Sequence, residues 1–351
     1  MVTIRDVARK SGFSMTTVSV VLNNARTAEG IPESTKNRIR AVARQLSYRP
    51  NPFARMLLSN RSRSVAVMVP DITDPYCSQI IRGVEGGLFK AGYSLVLVDI
   101  QNHRSHFRRY LNMLIERRVE GIIALASSLL LPASVLREFE DSQVPTVVIG
   151  RQSEQTSLSS VVVDNYGGAH EALTYLRSLG HTEIAFIRGP KHLIDSDQRW
   201  RGQRAAAQER GLVIDPRLVV QLQRPAPTYE EGYKAVQAFI KAKRRFTALM
   251  AFDDMTAFGA ISALGDAGVS VPGDCSVIGF DDVASAEFYN PPLTTMRQPM
   301  EQMGALSLKI LLSRLEPGNG SAELASATPV RRVLIPKLVV RKSTAPAANH
   351  D

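Results

Sequence analysis

Cysteine is almost missing from this chain. Cys77 and Cys275 are the only two among 351 residues, and they lie far apart. That argues against a disulfide framework or a cysteine-ligated zinc site and suits a reducing compartment. Tryptophan occurs once, at Trp200. No stretch approaches eighteen uninterrupted apolar residues, so no membrane span is expected. The opening "MVTIRDVARK" has no apolar core of the kind a signal peptide needs, and a cytoplasmic protein is expected. Enzyme signatures are missing too: GxGxxG, GxxxxGKS/T, GxSxG and HExxH do not occur, so no catalytic residue is assigned. His103 and His106 in "NHRSH" read as an exposed helix start rather than a metal pair, and neither a metal nor another cofactor is expected.

What is present is an uneven charge. The net charge is +10, with 43 Lys and Arg against 33 Asp and Glu. Residues 1–64 hold 12 Lys and Arg against three acids, whereas the remainder is nearly balanced at 31 against 30. A small basic module on a neutral body implies a nucleic-acid-binding head. At 44 % hydrophobic and 22 % charged residues, the whole chain has the composition of a globular protein of two or three domains.

The head reads as three short helices. Thr3 precedes "IRDVARKSG", in which Ile4, Val7 and Ala8 share a face and Gly12 ends the helix. Ser14 caps a second helix whose Val18, Val21 and Leu22 form the apolar stripe, and Asn23-Asn24 stop it. A third helix follows Pro32, with Ile39, Val42, Ala43 and Leu46 inward. Helix, three-residue turn, helix is the spacing of a helix-turn-helix, whose second helix enters the major groove. Next, "YRPNPFARMLLSNRSRS" reads as a linker carrying a helix of about two turns, too short to be stable alone in water. Asn51 is placed to cap it, and Leu57 and Leu58 are then available as a wedge in the minor groove; a plain interdomain linker with these leucines packed on the body is the other open reading.

From Val65 onward apolar runs alternate with amphipathic helices, which predicts an α/β body of parallel sheets. A break near residues 151–160 separates two similar lobes. Open parallel sheets bind ligands beyond the carboxyl ends of their strands. The candidates there are Asp71 to Tyr76, Arg151, Asp164, Asp253 and Asp281. For the pairs Asp253-Asp254 and Asp281-Asp282, helix capping and ligand binding are both open readings.

In these segments the chain resembles the LacI/GalR (lactose and galactose repressor) family of bacterial transcription regulators, along its whole length. "TIRDVARKSGFSMTTVSVVLNN" is similar to the family's N-terminal signature and "YRPNPFARMLL" to its hinge helix. "VPDITDPYC", "DNYGGAHEALTYLRSLGH", "AFDDMTAFGA", "SVIGFDD" and "PPLTTMRQP" are similar to its effector-binding core. The resemblance implies an all-α helix-turn-helix head (1–49), a hinge helix and linker (50–64), and a two-lobed periplasmic-binding-protein-like core (65–343). A disordered tail (344–351) is expected to follow. It implies a homodimer on double-stranded, palindromic operator DNA, controlled by a small-molecule effector, a sugar or related polyol, in the interlobe cleft. DNA contacts are expected from Thr3, Ser14, Met15, Thr16, Thr17, Ser19, Val20, Asn23, Tyr48 and Asn51. The resemblance also implies a close packing role for Ala54 in the hinge and the minor-groove wedge for Leu57. In the cleft the resemblance points to Tyr76, Arg199, Asp253, Asp281 and Gln298, with Arg199 as a fork and Trp200 either stacking or core; with the strand-end candidates Asp71, Arg151 and Asp164 these form the expected effector set.

Four departures stand out. The "NNARTAEGIPEST" loop is about three residues longer than in the lactose repressor. Val20 and Asp253 replace an arginine and an asparagine common in the family. "STAPAANHD" carries no leucine heptads, so no tetramer is expected. Two other classes compete: a sugar-binding protein without DNA, which leaves the basic head unexplained, and an enzyme on a nucleotide-binding fold, which lacks every motif above.

Overall fold

Thr3 and Asp6 start the first helix together. In the computed structural model, the Thr3 backbone N–H and hydroxyl both donate to Asp6 Oδ2, at 2.9 and 2.7 Å. This closes α1 (Ile4–Ser11) at its open end, and Gly12, at φ 80°, ends it in the left-handed conformation that glycine adopts without strain. The Ser14 side chain accepts from Thr17 N at 3.1 Å and caps α2 (Met15–Leu22). The third helix, α3 (Glu33–Gln45), follows Pro32. Val7, Val18, Val21 and Ile39 are fully buried where the three helices meet. The head thus forms as its apolar spacing predicts, with one short 3-10 turn, Arg26–Ala28, added in the long loop.

The structure describes residues 2–23, 26–48, 61–125, 133–151, 157–191, 193–223, 228–315 and 328–347. The chain divides into Met1–Arg63 and Ser64–Asp351. The hinge positions Asn51, Ala54 and Leu57 lie outside the described residues.

The body builds two sheets. The first lobe runs β1 (Ser64–Val69), α4 (Pro75–Ala91), β2 (Ser94–Asp99), α5 (Arg104–Glu116), β3 (Gly121–Leu125), α6 (Ala133–Asp141), β4 (Thr146–Ile149) and β5 (Ser159–Val163). The second runs α7 (Asn165–Ser178), β6 (Ile184–Arg188), α8 (Ile194–Glu209), β7 (Val219–Gln221), α9 (Tyr229–Lys241), β8 (Ala248–Met250), α10 (Asp254–Asp266), β9 (Ser276–Asp281) and β10 (Thr294–Arg297). The chain then returns to the first lobe for α11 (Met300–Leu315) and β11 (Arg331–Leu334), and ends in the second with β12 (Lys337–Val339). The strand orders are β11-β5-β4-β3-β1-β2 and β12-β10-β9-β8-β6-β7. All pairs are parallel except β10 with β12.

Helices cover both faces of each sheet, so central strands are apolar throughout rather than alternating. Val65, Val67 and Val69 of β1 pack on α4 and α11 through Ile80, Val84 and Leu308. Ala66 and Met68 face the other way, onto Phe107 and Phe139. In the second lobe Leu249 and Val277 meet Val236 and Phe258 on one face, while Met250 and Ile278 meet Leu173 and Leu176 on the other.

Two sequence expectations need correction. The lobe boundary falls at Asp164, not near 151–160, because β5 hydrogen-bonds to β4 with Val147 opposite Ser159. The tail is also anchored further than expected: Ala345 N donates to Ser276 Oγ at 2.9 Å and Ala347 N to Leu179 O at 2.8 Å. Residues 344–347 are therefore held to the second lobe, and 348–351 lie outside the described residues.

Candidate functional site

In the head, α2 has two sides. Val18 and Val21 are buried, while Met15 is 47 % exposed, Thr16 is exposed and Val20 is half-buried. Thr16 and Val20 stand one turn apart and share a face. Other candidates are tied into the helix itself. Thr17 Oγ1 lies 2.8 Å from Ser14 Oγ, and Asn23 Nδ2 donates to Ser19 Oγ at 3.2 Å. Thr3 holds Asp6, and Tyr48 packs on the head core. The outer face of α2 is uncharged and presents apolar surface and one hydroxyl, that of Thr16.

In the body, the carboxyl ends of the strands from both lobes surround a cavity of about 420 Å³. That is within the range of small-molecule sites. Its lining includes Asp71, Asp74 and Tyr76 from the turn after β1, and Leu193, Asp195 and Arg199 at the start of α8. It also includes Phe252 and Asp253 after β8, Asp281 at the end of β9, and Gln298 on the crossover to α11. Six of the eight predicted effector residues are thus brought together: Asp71, Tyr76, Arg199, Asp253, Asp281 and Gln298.

Arg151 and Asp164 are not among the cavity's described lining. Asp164 is a helix cap, because its Oδ1 accepts Gly167 N at 2.8 Å. Arg151 ends the segment beyond β4, half-buried on the first lobe. Trp200 is core: its ring meets Phe186 edge-on at 5.6 Å, with the Arg188 guanidinium 4.4 Å above it. A wider, more open depression of about 540 Å³ is lined by Asp282, Arg297 and Arg341. There Asp282 ion-pairs with both arginines, at 2.5 and 2.7 Å, and Glu287 and Glu301 offset the remaining arginine charge of the lining, Arg82 included.

Arg199 is the cavity's fixed cation. It is 5 % exposed, and its Nε donates to Asn165 Oδ1 at 2.8 Å and its Nη1 to Phe252 O at 2.5 Å. Its Nη2 lies 3.5 Å from Asp281 Oδ1. The Phe280 and Phe252 rings cover the guanidinium at 3.6 and 4.6 Å. Asn165 also donates to Asp195 Oδ1 at 3.2 Å. The arginine predicted as an open fork is mostly engaged by the protein.

The carboxylates differ in duty. Asp253 Oδ1 accepts Thr256 N at 2.8 Å, so the capping reading holds, and the same residue lines the cavity. Asp254 faces inward, accepting Thr295 Oγ1 at 2.5 Å and Val283 N at 2.9 Å. Burial pushes the Asp254 carboxyl up to about 7. Asp281 accepts Gln298 Nε2 at 2.6 Å and sits at φ 127°, with Asp282 at φ 60°. Such backbone costs about 1–3 kcal/mol per residue and persists where surroundings over-determine it. Here the anchors are Gln298 and Arg199 for Asp281, and Arg297 and Arg341 for Asp282. Burial raises Asp281, Asp253 and Asp195, and it lifts Asp74 to about 6 with help from the nearby Asp253 charge.

Sequence reasoning passed over Asp74 as an individual residue, and over Asp195, Asn165 and Phe252. Asp74 had a readable signal, since Asp followed by Pro at a helix start is a capping pattern. Asp195 and Asn165 had none, because their bond joins residues thirty apart.

A three-helix head with an exposed second helix, on a two-lobed parallel-sheet body with a cleft, defines a helix-turn-helix DNA-binding regulator. Comparison with known proteins sharpens this. Residues 3–51 match the model of bacterial regulatory proteins of the lacI family, and 173–344 match a periplasmic binding protein-like domain. The chain is 32 % identical over 345 residues to the transcriptional repressor CytR of Escherichia coli K12, covering 97 % of this chain and 96 % of that one. It is 34 % identical to the repressor PurR of Edwardsiella ictaluri, covering 98 % and 97 %. Among solved structures, a lac repressor dimer bound to operator and the anti-inducer ONPF matches with TM-score 0.84 at 26 % identity, covering 98 % and 99 %. A CelR–cellobiose complex matches with TM-score 0.71 at 28 % identity, covering 98 % and 100 %. A LacI-family regulator from Enterococcus faecium with bound ribose matches with TM-score 0.69 at 29 % identity, covering 81 % and 100 %. The chain belongs to the LacI family and is a DNA-binding transcriptional repressor. Its relatives are repressors rather than enzymes. A bacterial repressor of this kind acts in the cytoplasm, and no described helix is long and apolar enough to cross a membrane.

Proposed function

We propose that this repressor binds a palindromic operator as a homodimer and that a sugar or related polyol in the interlobe cavity controls its DNA affinity. The observation that carries the reading is the cavity itself. Carboxylates at strand ends accept hydroxyl hydrogens, Arg199 and Gln298 fix the geometry, and the Tyr76 and Phe252 rings offer apolar faces. Cellobiose and ribose in similar proteins support a sugar, and the operator-bound lac repressor dimer supports the homodimer.

The DNA step follows from the head. Arg and Lys side chains and helix N-termini set affinity through phosphates. Met15, Thr16 and Val20 read thymine methyls and one base edge. The hinge segment, with Leu57 as its wedge, enters the minor groove and adds readout through DNA deformability. Ser14, Thr17, Ser19 and Asn23 hold the reading helix in shape. Ligand changes the angle between lobes, and coupling of about 1–3 kcal/mol is typical of such linkage.

In-vitro selection of DNA sites on the full chain tests this reading. An inverted repeat with dimer stoichiometry by ultracentrifugation is expected. A single asymmetric site bound by a monomer would overturn the homodimer assignment.

A further inference from the structure

The polar inventory of the cavity is lopsided. Asp71, Asp74, Asp195, Asp253 and Asp281 line it, and Arg199 is the one cation among the described lining residues. That cation is already matched, lying between two phenyl rings beside Asp281. A phosphate or carboxylate ligand would thus meet several like charges and no free cation. A neutral sugar would leave buried carboxylates without a countercharge, which is costly away from water.

Two of the acids that form no ion pair among the described residues stand on opposite lobes, Asp253 feeling the Arg199 charge only at longer range. Asp74 caps α4 after β1, and Asp253 caps α10 after β8; each gives one oxygen to its own helix, at 2.9 Å to Tyr76 N and 2.8 Å to Thr256 N. Both helix N-termini favour the ionised form. The two charges also act on each other, since repulsion from Asp253 helps raise Asp74. Asp253 is only 8 % exposed, so little solvent screens it.

We propose that the effector carries a protonated amine on a hydroxyl-rich body, the aminosugar class, with the ammonium held between Asp74 and Asp253. This rests on the cavity being the effector site. The ammonium relieves the repulsion across the cleft and draws the two lobes together, so ligand charge itself drives closure. Hydroxyls are left for Asp281, Asp195 and Gln298. Phosphorylated sugars are rejected.

Isothermal titration of the full chain against matched pairs tests it: D-glucose with D-glucosamine, D-galactose with D-galactosamine, D-mannose with D-mannosamine, and glucose 6-phosphate as the anionic probe. At least one amine is expected to bind about tenfold or more tighter than its hydroxyl twin, the scale of one charge-assisted contact. The phosphate ester should give no binding heat. In D74N the preference should fall to within about twofold; asparagine caps helices as well as aspartate, so the fold is kept. Parity between twins, an amine preference surviving in both D74N and D253N, or no binding by any amine would overturn the proposal. If neutral sugars bind and Asp281→Ala abolishes that binding, the cavity reading stands and the amine assignment falls. If amine binding persists in Asp281→Ala, the cavity reading itself falls.

Discussion

The Gln298 side chain donates to Asp281 Oδ1 at 2.6 Å, joining a chain crossover between the lobes to a carboxylate that lines the cavity. Backbone repeats the link, with Gln298 N donating to Asp281 O at 3.1 Å. A ligand that engages Asp281 would therefore act on one of the segments that join the lobes. Gln298→Ala should weaken effector binding by roughly tenfold or more, because a hydrogen bond to a charged group contributes about 1.5–3 kcal/mol. Titration of the variant checks this, and an unchanged dissociation constant would remove Gln298 from the site.

Acidification should stabilise the ligand-free body. Asp254 is lifted from 3.8 to about 7 and Asp74 from 3.8 to about 6, chiefly by burial. A carboxyl with a raised folded-state pKa keeps its proton in the fold after the unfolded chain has lost it. Stability therefore falls as pH rises from about 4 to about 7, and the penalty is complete above that. The melting temperature should be higher at pH 5.5 than at pH 8, and Asp254→Asn should flatten part of the difference. A melting temperature that rises with pH across this window would contradict the assignment.

Ser343 should matter more than its position suggests. Its hydroxyl accepts Thr294 N at 2.8 Å and donates to Val277 O at 2.6 Å, so it satisfies two groups next to the second sheet. Ser343→Ala should cost about 1–3 kcal/mol, lowering the melting temperature by about 2–4 °C per kcal/mol. Scanning calorimetry measures it.

Val20→Arg should change half-site preference. A guanidinium on the half-buried edge of the outer face of α2 adds a bidentate donor for guanine, worth about 1–3 kcal/mol of discrimination. Sites selected by variant and parent should differ at one symmetric position. Identical preferences would mean that this face does not touch bases.

The head was legible because its signals are local. Thr3, Gly12, Ser14 and Asn23 punctuate the helices, and the apolar stripe predicts the buried residues. Asp253 and Asp281 were legible because they follow strands of a parallel sheet. The lobe boundary was not, because the pairing of β5 with β4 is non-local and no turn chemistry marks it. Asp195 and Asn165 escaped for the same reason, and Phe252 read only as strand core. The tail looked structureless because it has no large apolar residue, yet hydroxyls and backbone at Ser343, Thr344 and Ala345 bond to the second lobe. Arg199 was found, but its enclosure between Phe252 and Phe280 shows only in three dimensions.

The most direct test of the account is fluorescence anisotropy of a selected operator fragment, titrated with the full chain with and without an effector found by titration. The parent's operator affinity should shift by about 5–150-fold when effector is added. Asp281→Ala should bind the operator but show no shift. A variant that still responds in full would contradict control through this cavity.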